Sequence, residues 1–181
     1  MTPAEYAFLD RARVGRLATV DDAGRPHAVP ICYAILEPDA AAAASAGRAS
    51  TNDENRDEDE PDVRIVSAID EKPKETRDLR RVRNVRANPR VCLLIDRYRE
   101  DWARLAWVQV RGRARVRDPD SDSNAATSIH AAAVRALETK YDQYETHDLG
   151  ERPIISIRVG RTVSWGALDA ESDESDGRKD G

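Results

Sequence analysis

DEKPKETRDLRRVRNVRANPR, residues 70–90, is the stretch on which the reading of the fold turns. Lys72, Lys74, Arg77, Arg80, Arg81, Arg83, Arg86 and Arg90 crowd into it. Asp70 and Glu71 lead in, Pro73 suits a first helical turn, and Leu79, Val82 and Val85 recur every three residues as one narrow apolar stripe. Asn88-Pro89 stops the helix, because a residue before proline is pushed out of the helical region and proline lacks an N–H. The segment is therefore expected to be a loop running into a helix that docks by its stripe and keeps its other faces cationic. Basic groups around a helix start suit a phosphate, which the helix dipole and free amides also favour. A solvated basic helix, or one paired with acidic segments elsewhere, fits the same residues.

Strands flank this helix. Before it, VRIVSAI (63–69) reads as a strand; after it, RVCLLIDR (90–97) has a nearly continuous apolar run that predicts burial on both faces. Further on, YREDW (98–102) is a polar turn and LAWVQVRGRARV (105–116) a long alternating strand with Gly112 at a bulge. Asp118-Pro119 opens a loop, and Ser123 or Asn124 caps a helix running to about Tyr144, with Ile129, Ala133, Ala136, Leu137, Lys140, Tyr141 and Tyr144 on its apolar side. IISIRVGRTVSW (154–165) ends the regular structure as a strand pair or one bent strand.

On the amino-terminal side, Thr2-Pro3-Ala4-Glu5 has the form of a capping box, with Tyr6, Leu9 and Val14 packing inward. GRLATVDDAGRPHAVPICYAIL (15–36) is a β-hairpin turning at Asp21-Asp22-Ala23-Gly24, and Pro26 and Pro30, which cannot donate to a ladder, are expected at edges or bulges, where a ligand can approach. Five or six strands with helices inserted late, and no repeated strand-helix alternation, predict an α+β fold: a small, mainly β antiparallel barrel with peripheral helices.

The 181 residues suffice for one core, so a single domain over 1–166 is expected. Residues 38–62 are low in complexity and acidic and read as a flexible insertion; residues 167–181 read as a disordered acidic tail. The net charge of -5 averages unlike parts: between Glu71 and Arg117 there are 15 bases against six acids. That local field would attract an anion. Nucleic acid is excluded as partner, because aromatic residues are not interleaved with the basic ones and no recognition motif is present. Cys32 and Cys92 sit in apolar runs and read as reduced core thiols. No leader-like start and no run long enough for a membrane span is seen, which predicts a cytoplasmic protein without membrane contact.

No catalytic constellation or metal-ligand spacing is visible. His27, His130 and His147 are far apart. His27 is a cofactor contact or a structural hydrogen-bonding group, whereas His130 and His147 are expected at the surface. Trp102 is placed at a pocket or interface, Trp107 in the core, and Trp165 at the closure of the barrel or a dimer seam. Glu100 and Asp101 are read as solvated turn residues.

The runs RVGRLATVDDAGRPHAVPICYAI, SAIDEKPKETRDLRRVRNVRANPRVCLLID and YREDWARLAWVQVRGRARV, with the late KYDQY, resemble the pyridoxamine 5'-phosphate oxidase-like split β-barrel, and more narrowly its deazaflavin-dependent branch. The resemblance covers about residues 8–166 apart from the insertion. It implies an FMN-binding-like fold and a homodimer with a flavin-type cofactor at each interface. By that resemblance His27, Ala28, Val29, Pro30, Ser67, Ala68, Ile69 and Asp70 border the ring and its chain. Lys72, Lys74, Arg80 and Arg83, with Pro73 between the lysines, anchor the phosphate or an acidic tail, and Trp102 lies by the pocket. The Lys-Pro-Lys segment is longer than the corresponding loop of many relatives, and the insertion is a second departure.

The implied function is an oxidoreductase passing hydride between coenzyme F420 and a small molecule. FMN is the alternative cofactor, and a non-catalytic flavin- or haem-binding barrel is a further reading. In such chemistry the ring carries the hydride while the protein binds, orients and excludes water, so no charged triad is required.

Overall fold

The computed structural model describes residues 1–37, 63–69, 79–119 and 124–170. The expected insertion at 38–62, the loop with Asp70, Lys72, Pro73 and Lys74, and the tail beyond 170 lie outside the described residues.

Helix α1 (Pro3–Arg11) starts on the expected capping box: the Thr2 hydroxyl accepts from the Glu5 amide at 3.2 Å, and the Glu5 carboxylate accepts from the Thr2 amide at 2.8 Å. It turns Phe8 and Leu9 into the core, while Val14, expected inside, is exposed. Strands β1 (Gly15–Val20) and β2 (Pro26–Ile31) form the hairpin. Its turn is closed by Gly24 at φ 79°, a left-handed conformation glycine adopts without strain. Then follow β3 (Ala34–Leu36), β4 (Arg64–Ala68), α2 (Arg80–Ala87), β5 (Arg90–Arg97), β6 (Ala106–Arg117), α3 (Asn124–Lys140) and β7 (Ile154–Gly166).

Among the described residues, seven strands make one antiparallel sheet in the order β2-β1-β5-β6-β7-β4-β3. Its two edge strands are joined by Cys32 and Tyr33 alone. Laid flat, strands spaced about 4.8 Å apart would put the edges about 29 Å from each other, whereas three chain steps reach about 11 Å. The connection therefore curls the sheet on itself into the small antiparallel barrel that the patterning predicted. Leu17, Ile65, Leu93, Ile95, Val108, Val110, Ile155 and Ile157, all fully buried, fill it. On the outside, Ala133, Leu137 and Tyr141 bring α3 and the turn after it onto Ala34, Val66, Ala68 and Ile154.

The structure corrects several expectations. The burial of β5 alternates, so Cys92 and Leu94 on its outer face are half-covered and neither Cys32 nor Cys92 is a full core residue. Only one face of an antiparallel sheet here meets the core. The C-terminal segment is one strand, and the extra residue of its bulge is Gly160 on β7, opposite the Arg111–Gly112 step. Trp107 is only partly buried rather than core; Trp165 is exposed in the protomer, which leaves the seam rather than closure of the barrel as its expected place. His130 is buried: its Nε2 lies 2.8 Å from the Arg152 carbonyl, which satisfies the ring away from water. Residues 167–170 are held, because the Arg97 guanidinium donates to the carbonyls of Ala167 and Ala170 and Arg11 donates to that of Leu168 at 3.0 Å. The described basic helix begins at Arg80, with Leu79 extended.

Candidate cofactor site

Helix α2 is short, and its sequence gives it two unlike sides. Val82 and Val85 are buried, as the stripe requires, and between them Asn84 is buried too. A buried amide is costly unless bonded. Asn84 Nδ2 donates to Thr19 Oγ1 at 2.9 Å, and the Thr19 hydroxyl donates to the His27 carbonyl at 3.3 Å. One relay thus ties the helix to β1 and to β2, fixing how the cationic face sits over the hairpin. Arg80, Arg83 and Arg86 point from the other side of α2 and are exposed. Asn84 and Thr19 were not among the expected site residues. The signal was a lone amide set between two stripe valines.

The expected site residues divide. His27 and Val29 are partly buried, and Ala28 and Pro30 are exposed, on an edge strand whose only sheet partner is β1. The prolines sit there as their missing donors demand. Ser67 and Ala68 are 3% and 5% exposed, in a strand paired on both sides, so neither side chain reaches the surface of the protomer; Ile69 is partly buried. Arg80 and Arg83 share a helix with the Asn84 relay. Trp102 stands apart: β5 starts just after α2 and runs eight residues before the turn bearing Trp102, about 26 Å at strand rise. It is 81% exposed, and Asp101 caps its short 3-10 turn by accepting from the Ala103 amide at 3.0 Å.

Outside the barrel, a cavity of about 470 Å³ lies over β1, β5, β6 and β7, lined by Ala18, Thr19, Pro26, Cys92, Arg111 and Arg161 among others. It abuts the hairpin and mixes apolar floor with cationic walls. Burial raises the Cys92 thiol above its ordinary value, and Arg111 pulls the other way. Among the described residues no group of three or more His, Cys, Asp or Glu is placed to hold a metal.

The sequence profile of the pyridoxamine 5'-phosphate oxidase family matches residues 1–166. The chain belongs to this family. Among solved structures, a conserved hypothetical protein from Mycobacterium tuberculosis superposes with a TM-score of 0.56 at 20% identity, over 98% of this chain and 93% of that one. A heme binding protein from Mycobacterium smegmatis gives 0.56 at 20% identity over 94% of this chain, which spans only 56% of that protein. A FAD-binding protein from Mesorhizobium loti gives 0.51 at 20% identity, over 91% and 94%. Identities this low speak for a shared fold. Comparison with curated proteins gives no match. Within the pyridoxamine 5'-phosphate oxidase family, then, this chain is a split barrel whose described helices include none long and apolar enough to cross a membrane.

Proposed function

We propose that the protein is an oxidoreductase that binds a flavin-type cofactor, coenzyme F420 in the first place and FMN as the alternative, and passes hydride to or from a small molecule. The observation that carries this reading is the Asn84–Thr19–His27 relay, which couples the cationic helix to the edge strand expected to border the ring. When bound, the cofactor ring supplies the hydride chemistry. The protein's own contribution is placement. Arg80 and Arg83 offer guanidinium forks to the charged end, a geometry suited to phosphate. His27 to Pro30 offer an exposed strand edge, and Ile69 leads from β4 toward Asp70, Lys72 and Lys74. A longer acidic tail needs more cations along its path, and Lys72, Lys74, Arg77, Arg80, Arg81 and Arg83, close together in the sequence, favour F420 over FMN.

The proposal includes a homodimer. One outer face of the sheet carries Ala18, Cys92, Leu94, Val163 and Trp165 in adjacent cross-strand rows, all only partly covered in the protomer. These apolar side chains alternate with Arg16, Gln109, Arg111 and Arg161 in the same rows, and a half-exposed face that mixes apolar and cationic groups suits a polar interface between copies. Haem ranks lower, because His130 is buried and neither His27 nor His147 lines the cavity over β1, β5, β6 and β7.

Titration of the purified protein with F420 and with FMN, followed by fluorescence, tests the order. F420 should bind at least tenfold more tightly, with Arg80→Gln weakening it. Tight FMN binding without F420 binding reverses the cofactor assignment, and a Soret band on haem addition without binding of either flavin-type compound rejects it.

A further inference from the structure

At the other end of α2 lies a second concavity of about 320 Å³, walled by Arg64, Arg86, Arg113, Arg115, Arg117 and Arg158. It forms where the ladder between β5 and β6 ends at Arg113 and β6 runs on beside β7 and β4. The register explains the concentration of charge. Arg113, Arg158 and Arg64 are direct cross-strand neighbours in one row across β6, β7 and β4. Like charges placed opposite one another across a sheet oppose pairing. Asp118 approaches the rim, 3.6 Å from Arg86, with both side chains more than half exposed. Arg64, Arg115, Arg117 and Arg158 engage other groups of the chain, but a guanidinium carries five donors, so such contacts leave capacity for a ligand.

The next row supplies the deciding observation. Ser156 pairs with Arg115 across the ladder and lines the same cavity. It is 2% exposed, and its hydroxyl has no hydrogen-bond partner. Buried hydroxyls are ordinarily bonded. A donor without an acceptor, set among arginines, matches an anionic oxygen arriving from outside. The volume is at the lower end of small-molecule pockets, which run from about 300 to 1,000 Å³. That admits a compact phosphorylated molecule.

We propose that this cavity is a recognition site for a phosphorylated small molecule, separate from the proposed cofactor anchors. Arg80 lies six residues before Arg86, so the two ends of the helix are about 9 Å apart along its axis. The proposal does not depend on which cofactor the protein binds.

Inorganic pyrophosphate is the probe. Calorimetric titration of the full chain at fixed ionic strength should show saturable binding at one site per protomer. Arg115→Gln, an exposed change that leaves the core alone, should weaken it about tenfold or more, the loss of one charge-assisted bond, and Ser156→Ala should weaken it several-fold. Arg80→Gln should leave pyrophosphate binding unchanged while it weakens F420, which separates this site from the cofactor's. Circular dichroism of each variant without ligand verifies folding. The proposal is overturned if pyrophosphate binds no better than chloride, if folded Arg115→Gln and Ser156→Ala bind it as the parent does, or if a single-stranded oligonucleotide binds where pyrophosphate does not.

Discussion

Lys140 is the residue whose setting is least expected from its type. It closes α3 with its ammonium buried beneath Tyr33, 4.3 Å from that ring centroid, and without a hydrogen-bond partner. Burial lowers its pKa to about 8, with Asp10 acting in the opposite sense. The folded chain therefore gives up this proton at a lower pH than the unfolded chain does, so stability should rise with pH from about 8 toward the usual lysine value of 10.5. Above about pH 10 the trend reverses, because burial raises Tyr33 and Tyr141 and the unfolded tyrosines ionise first. Lys140→Met should stabilise the protein at pH 7 and flatten the rise above pH 8, read from urea midpoints across that range. A second residue-scale case is Gly112. A methyl there would sit 2.1 Å from the Arg158 carbonyl oxygen, so Gly112→Ala should cost about 1–3 kcal/mol, measured by thermal unfolding. Sequence reading placed a bulge at this glycine; the close approach of β7, with Gly160 as the extra residue, was not legible because it depends on the partner strand. His130 went the same way: its carbonyl partner, on Arg152, is 22 positions along.

At the scale of elements, local signals were read well and long-range ones poorly. The capping box, the Gly24 turn and the valine stripe of α2 are each decided within a few residues, and each appears in the structure. Tyr33 shows the opposite case. Its hydroxyl donates to the Leu9 carbonyl at 2.6 Å, and its amide donates to the Tyr141 hydroxyl at 3.0 Å, pairing elements more than 100 positions apart. Nothing near Tyr33 announces that partnership. The candidate site divides likewise. Arginines at 111, 113, 115 and 117 share one face by alternation and were open to reading, whereas their alignment with Arg158 and Arg64 needs the register. Helix α3 is held on the sheet mainly by its apolar side, so Leu137→Ala, at a fully buried position, should destabilise by about 2–5 kcal/mol in urea unfolding.

For the whole molecule, the half-covered outer face leaves Leu94 partly open and Trp165 exposed. Leu94 lies between Arg16 and Gln109 on that face, and Arg16 pairs with Asp96 beside it. If copies meet there, Leu94→Arg should turn dimers into monomers in sedimentation velocity while far-ultraviolet dichroism stays unchanged. The apolar run of β5 was read as evidence for cover on both faces. Within one protomer only the inner face has it, and a single sequence does not distinguish a helix overhead from a second subunit.

The order of the strands also bears on how the protein is made. β4, early in the chain, lies between short β3 and β7, the last strand to be synthesised. Until Ile154 to Arg158 have left the ribosome, the described neighbour of β4 is the three-residue β3, and the edge that β7 covers stays open. Closure of the barrel thus waits for a strand made about 90 residues after β4, and β4 stays exposed in the interval. A nascent chain stalled before residue 154 would present that edge to chaperones or to other copies of itself.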